Sequence, residues 1–273
     1  MKRYIFILLS VLSLVGCIKD PEYDGGFRQR MVVDGRIEAG HCAIVMLSIT
    51  TQYQGEYDKS DFADLIVRWA KVTVECDGVK EVLVGRPNSN YPTQYIYTGV
   101  DIVGEVGKTY KLLVEYSDRE WRAETTITEP ATLSDIRVES TDGEKLYSIS
   151  ATLSPTKYPC CVECSMGGGP YYAPTMLGVY EPSDEPRRIV INPPLQTIDY
   201  TPVFVRGQKV ALRLSTMNDF GYDYWSMWNN NVINNANPLF PMLDNLPTNI
   251  SNGGLGIWSG YGSTYYKVGV IGK

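Results

Sequence analysis

The sequence predicts a mainly β protein, with an N-terminal immunoglobulin-like β-sandwich over residues 28–129 and a second β-rich domain over residues 130–273 that carries one short helix. Short runs of β-branched and aromatic residues recur from Arg28 onward, and Gly, Asp and Pro turn signals separate them, which is the pattern of a sandwich rather than of βαβ units. A chain of 273 residues with 44% hydrophobic and 21% charged side chains buries a substantial core, which excludes disorder and collagen-like repetition. No internal repeat, heptad or basic amphipathic face is present, so solenoids and coiled coils drop out.

In chain order, strands are expected at 29–37, 42–50 and 70–76. In Val72-Thr73-Val74-Glu75-Cys76 the valines and the cysteine share one face and Thr73 and Glu75 the other, as a half-buried strand requires. Asp77-Gly78 supplies the positive φ angles of a two-residue hairpin, and 79–84 returns as its partner. Strands at 94–98, 109–116 and 120–128 complete a set of seven in about a hundred residues, the last two joined at Ser117-Asp118-Arg119. The stretch 52–67 reads as a solvated loop. Its Asp58, Asp61 and Asp64 lack the alternating carboxylate spacing of a calcium loop.

Glu129-Pro130-Ala131 is the expected seam, because proline cannot continue a central strand and a new β pattern begins at Leu133. Further strands are expected at 133–140, 145–153, 175–180, 187–191 and 204–215. A short helix is expected at 223–230, where Tyr224, Trp225 and Trp228 occupy neighbouring helix positions before an Asn-rich stretch and Pro238. Two closing strands, 256–261 and 264–271, read as a hairpin about Gly262-Ser263.

The N-terminus carries an address. Lys2 and Arg3, an apolar run from Tyr4 to Leu14, and Gly16 before Cys17 form an export signal over residues 1–16 that is too short to span a bilayer. Leu14-Val15-Gly16-Cys17 resembles the lipobox of bacterial lipoproteins, which implies acylation of Cys17 and a tether over residues 17–27. Ile18-Lys19-Asp20-Pro21-Glu22 resembles the acid-rich surface-export signals of Bacteroidota lipoproteins, so the expected location is the outer membrane, on the cell surface.

With Lys2 and Arg3 removed, 23 basic residues face 31 acidic ones, a net charge near −8 that disfavours nucleic acid as a partner. A single histidine leaves little for proton shuttles, and neither a metal site, nor a cofactor, nor a catalytic set is expected. Gly167-Gly168-Gly169-Pro170 reads as a turn, and Ser259 lacks the glycine that a nucleophile elbow requires two residues earlier. An acid pair among the 31 carboxylates is a third reading, a surface hydrolase, but no spacing selects its members.

Of six cysteines, Cys17 is assigned to lipid. Cys42 and Cys76 lie in separate strands of the first domain and form either a bridge or two free thiols. Among Cys160, Cys161 and Cys164 a local disulfide between Cys161 and Cys164 is preferred over reduced thiols, with metal binding last. Twenty tyrosines and five tryptophans against six phenylalanines put a polar handle on most rings, and Trp225, Trp228, Trp258 and Tyr261 form the best candidate ligand surface.

Cys17, Met31-Val32-Val33-Asp34-Gly35-Arg36-Ile37, Ala70-Lys71-Val72-Thr73-Val74, Gly107-Lys108-Thr109-Tyr110 and the segment from Asn249 to Trp258 together resemble the landmarks of Bacteroidota lipoproteins grouped as domain of unknown function 4249. The resemblance implies an accessory surface lipoprotein that accompanies a TonB-dependent transporter and its binding lipoprotein and captures peptide or glycan. It carries over no catalytic residues. The alternative expectation is a structural or adhesive envelope module with no small ligand.

Overall fold

The computed structural model describes residues 27–51, 63–171, 173–194, 202–235 and 246–272. The signal, Cys17 and most of the tether lie outside these residues, as do Asp58 and Asp61. The fold is mainly β; among the described residues the long helix is α1 (Asp219–Asn235), and Ala63 and Asp64 are also helical.

Three sheets form two sandwich layers. The first half of the chain gives β1 (Met31–Glu38), β2 (Cys42–Ile49), β3 (Lys71–Cys76), β4 (Val79–Val82), β5 (Val84–Pro87), β6 (Tyr95–Val103), β7 (Thr109–Tyr116) and β8 (Arg119–Thr126). The second half gives β9 (Leu133–Ser140), β10 (Leu146–Leu153), β11 (Cys160–Met166), β12 (Pro174–Tyr180), β13 (Arg187–Ile191), β14 (Phe204–Val205), β15 (Lys209–Thr216) and β16 (Leu255–Val270). An eight-stranded sheet runs β12-β11-β15-β16-β1-β2-β6-β5 and so joins strands from both sides of Pro130. Its inner face packs on two smaller sheets, β4-β3-β7-β8 and β13-β10-β14 with β9 beside β10.

Each pairing has its own core. Val33, Val45, Leu47, Val72, Val74, Leu112, Val114 and Trp258 fill the first, and Ile149, Leu153, Val162, Ile189, Phe204, Leu212 and Leu214 the second. Along β1 the period of two sends Val33 and Ile37 inward and Asp34, Arg36 and Glu38 to the outer face.

Several expectations are corrected. The expected strand 79–84 divides at Leu83, where the chain passes from the small sheet (β4) to the edge of the long one (β5). The expected strand 204–215 divides at the turn Arg206-Gly207. The strand β11 was hidden by its composition: with both faces buried it shows no polar alternation and reads as a cysteine cluster.

The closing hairpin is instead a single 16-residue strand, β16, parallel to β1 and antiparallel to β15. Gly262 is present because a side chain there would strike the Thr128 carbonyl oxygen, Thr216 Oγ1 and the Pro130 nitrogen, so it permits close passage past the seam, not a turn. The helix is also longer than its expected eight residues. Asn218 caps it, its Oδ1 accepting from Gly221 N at 2.9 Å, and Asn229 sits inside it, donating from Nδ2 to the Thr175 carbonyl at 3.2 Å.

Candidate functional site

Alternation on four adjacent strands puts a polar patch on the outer face of the long sheet. β1 contributes Arg36 and Glu38, β16 contributes Ser259, Tyr261, Ser263 and Tyr265, β15 contributes Arg213 and Ser215, and β11 contributes Cys161 and Glu163. At its centre Arg213 makes a forked pair with Glu163 (Nε to Oε2 at 2.6 Å, Nη2 to Oε1 at 2.5 Å) and donates from Nη1 to Glu38 Oε1 at 2.9 Å. Arg36 closes the ring, with Nε 2.8 Å from Glu38 Oε1 and Nη1 3.3 Å from Glu163 Oε1. Tyr265 donates to Glu38 Oε2 at 2.6 Å, and Ser215 donates to Glu163 Oε2 at 3.1 Å.

The electrostatics follow from this pairing. Burial pushes the Glu38 carboxyl up, but Arg36, Arg213 and the Tyr265 hydroxyl outweigh it and hold the group down at about 2. Burial acts the same way on Glu163, and Arg213 and Arg36 again keep it below the usual carboxylate range. Each guanidinium also lies over a ring, Arg36 over Tyr261 at 4.6 Å and Arg213 over Tyr171 at 4.7 Å.

Beside the network the outer face opens into a cleft. It is lined by Asp34 and Arg36 of β1, Ile44 and Met46 of β2, and by Tyr91, Pro92, Tyr171, Trp225 and Tyr261. Asp34 is exposed on the outer face of β1, and protein atoms crowd around its carboxyl group. That crowding raises its pKa to about 6, with Arg36 pulling it down and Glu163 adding to the rise.

The structure gathers three of the four expected aromatics. Trp225 donates from Nε1 to the Tyr261 hydroxyl at 2.9 Å and meets Trp228 edge-on at 5.7 Å. Trp258 is not part of this group. It is fully buried in the first core, on the other side of β16, and donates from Nε1 to the Tyr110 carbonyl at 3.0 Å.

The preferred Cys161–Cys164 disulfide does not form and Cys42 and Cys76 are not bridged; the five described cysteines are free thiols. On β11, Cys161 faces the outer cluster while Cys164 faces the second core, and side chains three apart on a strand cannot meet. Cys42 leaves the core face of β2 while Cys76 points into the core. Burial pushes the Cys160 and Cys164 thiols up to about 12. Among the described residues no group of three metal-ligating side chains comes together, and no helix is long and apolar enough to cross a membrane.

Sequence reasoning missed Asp34, Arg36, Glu38, Glu163 and Arg213. The available signal was the charge at every second position of Val33-Asp34-Gly35-Arg36-Ile37-Glu38, a strand whose second face is polar and yet covered.

No curated protein matches the chain. A family model described as a domain of unknown function (DUF4249) matches residues 19–267, which include every strand of the long sheet except the last three residues of β16. The chain belongs to the DUF4249 family.

Proposed function

We propose that this protein is a lipid-anchored, surface-exposed accessory lipoprotein of an outer-membrane, TonB-dependent nutrient-uptake complex, and that it binds or retains peptide or glycan without chemical turnover. The observation that carries the ligand-binding part is the aromatic cleft beside Asp34. Its rings bear polar handles and its carboxylate is exposed, while the four charges beside it are paired with one another. Support for the anchor is the signal ending at Cys17, and support for surface exposure is the acid-rich segment that follows.

Two measurements test the reading. Cys17→Ser should release the mature chain from the membrane fraction; retention of that variant refutes the anchor. Detergent-solubilised membranes should yield a transporter with the tagged protein, and purification alone refutes the partner.

A second reading, a structural or adhesive envelope module, draws on the closed pairing of Arg36, Glu38, Glu163 and Arg213, which resembles an internal brace. It requires that titration with peptide and glycan pools leave the Trp225 fluorescence unchanged.

A further inference from the structure

We infer that the cleft over β1 and β2 recognises one protonated amine, the ammonium of a lysine side chain or of a peptide N-terminus. The inference rests on the ligand-binding reading above and chooses within it. Its first basis is size. The cavity volume is about 40 Å³, room for roughly three water molecules. It takes the tip of an alkylammonium chain and cannot enclose a pyranose ring.

Its second basis is charge. Arg36 and Arg213 are matched by Glu38 and Glu163, so Asp34 leaves the site one negative charge in excess. Among the described residues the Asp34 carboxylate accepts no hydrogen bond, whereas every oxygen of Glu38 and Glu163 is engaged. An anion would meet this carboxylate, and although Arg36 Nη2 is buried without a hydrogen-bond partner, both guanidiniums are already ion-paired with Glu38 and Glu163. A divalent metal would find one carboxylate where it needs several oxygen ligands. A single cation fits, and the overall negative charge of the chain favours its approach.

Its third basis is the rings. Tyr171 and Tyr261 already hold the protein's own guanidiniums on their faces at 4.7 and 4.6 Å, which demonstrates the geometry, and Tyr91 and Trp225 complete the wall around Asp34. The ligand ammonium would pair with Asp34 and lie among these rings, while its aliphatic stem would run over Ile44, Met46 and Pro92.

The groups facing Asp34 keep their charge states through the neutral range. Arg36 on β1 stays protonated, Glu163 on β11 stays ionised, and the phenols of Tyr224 on α1 and Tyr261 on β16 are held above their usual range by burial. The sole histidine, His41, packs on Tyr265 beyond Glu38. Binding should therefore rise with pH through about 6, as Asp34 ionises.

The test is titration of the purified full-length mature protein with tetralysine, followed by tryptophan fluorescence and calorimetry. Parallel titrations use tetralysine acetylated at the N-terminus, at the side chains, or at both, and maltohexaose. Tetralysine should bind, and the doubly acetylated peptide and the glycan should not. Loss on side-chain acetylation alone identifies lysine as the source, and loss on N-terminal acetylation alone identifies the terminal amine. Asp34→Asn should weaken binding roughly tenfold at pH 7.5, abolish the rise through pH 6, and leave thermal unfolding near that of the parent.

Equal binding of the doubly acetylated peptide, or an Asp34→Asn variant that binds as tightly as the parent, overturns the inference. So does failure of any amine to bind. If the transporter still co-purifies in that event, the proposed function stands and only the amine specificity falls.

Discussion

Replacing Arg213 with methionine isolates the energetics of the buried charge network. The guanidinium is almost fully buried and satisfies two oxygens of Glu163 and one of Glu38. Its removal leaves Arg36 as the one cation between two buried carboxylates. Breaking a buried pair by deleting one partner costs about 3–5 kcal/mol, and the lower end applies because Arg36 still touches both acids. For a chain of this size that corresponds to a fall in Tm of about 6–12 °C. Urea unfolding at pH 7 measures the difference directly.

The double variant Glu163→Leu with Arg213→Met sharpens the test, because it deletes one charge of each sign and leaves Arg36 paired with Glu38 at 2.8 Å. At least half of the lost stability should return. Acid provides the second axis. Glu38 has its folded pKa depressed from 4.5 to about 2, so it contributes stability above pH 4.5 that disappears as pH falls toward 2, about 3 kcal/mol in all. In Arg213→Met the carboxylates lose the cation that kept them ionised, so the gap between variant and parent must narrow on acidification. A destabilisation under about 1 kcal/mol, or a gap that widens as pH falls, refutes the reasoning.

Three further outcomes follow from the geometry. Trp258→Ala should cost about 3–5 kcal/mol by urea unfolding, because the ring fills the first core over Gly35 and its N–H is bonded to the Tyr110 carbonyl. Asn249→Ala should cost about 1–3 kcal/mol in the same assay, since its side chain pairs with both backbone groups of Trp258, at 2.8 and 3.0 Å. With a thiol reagent at pH 8, Cys42 should react first, while Cys76, Cys160, Cys161 and Cys164 should react only in denaturant; rapid labelling of all five in the native protein contradicts their burial.

The β architecture was legible because alternation and turn chemistry are local. Thr109–Tyr116 and Leu133–Ser140 fall at their expected bounds, and the Asp77-Gly78 hairpin forms between β3 and β4. What was not legible depends on the non-local fold. Gly262 reads as a turn until the Pro130 segment is placed against it. The helix start at Asp219 depends on one capping side chain, Asn218. Glu163 and Arg213 are fifty residues apart and meet only because β11 and β15 pair, so no spacing rule links them. The landmark segment ending at Trp258 is a brace for the first core, with Asn249 clipped to Trp258 and Arg30 bonded to the Gly253 carbonyl at 2.7 Å.

The order β11-β15-β16-β1 is not sequential, and it includes a parallel pairing between the first strand and the last. Such a sheet needs something to set its register, because hydrophobic faces alone tolerate a shift by two residues. The charge network supplies that constraint. A one-residue slip of β15 would send Arg213 into the second core and bring Leu212 or Leu214 against Glu163. A two-residue slip would keep the faces but move Arg213 out of reach of Glu163 and Glu38 together. Four paired charges on three strands beyond β16, each engaged with groups on a neighbouring strand, thus favour one alignment over its nearest competitors. The same alignment holds Tyr171 and Tyr261 over their guanidiniums and leaves Asp34, two residues before Arg36, as the unmatched charge lining the cleft. The brace and the proposed binding site are therefore consecutive positions on one face of β1, and the cleft inherits its rigidity from the network beside it.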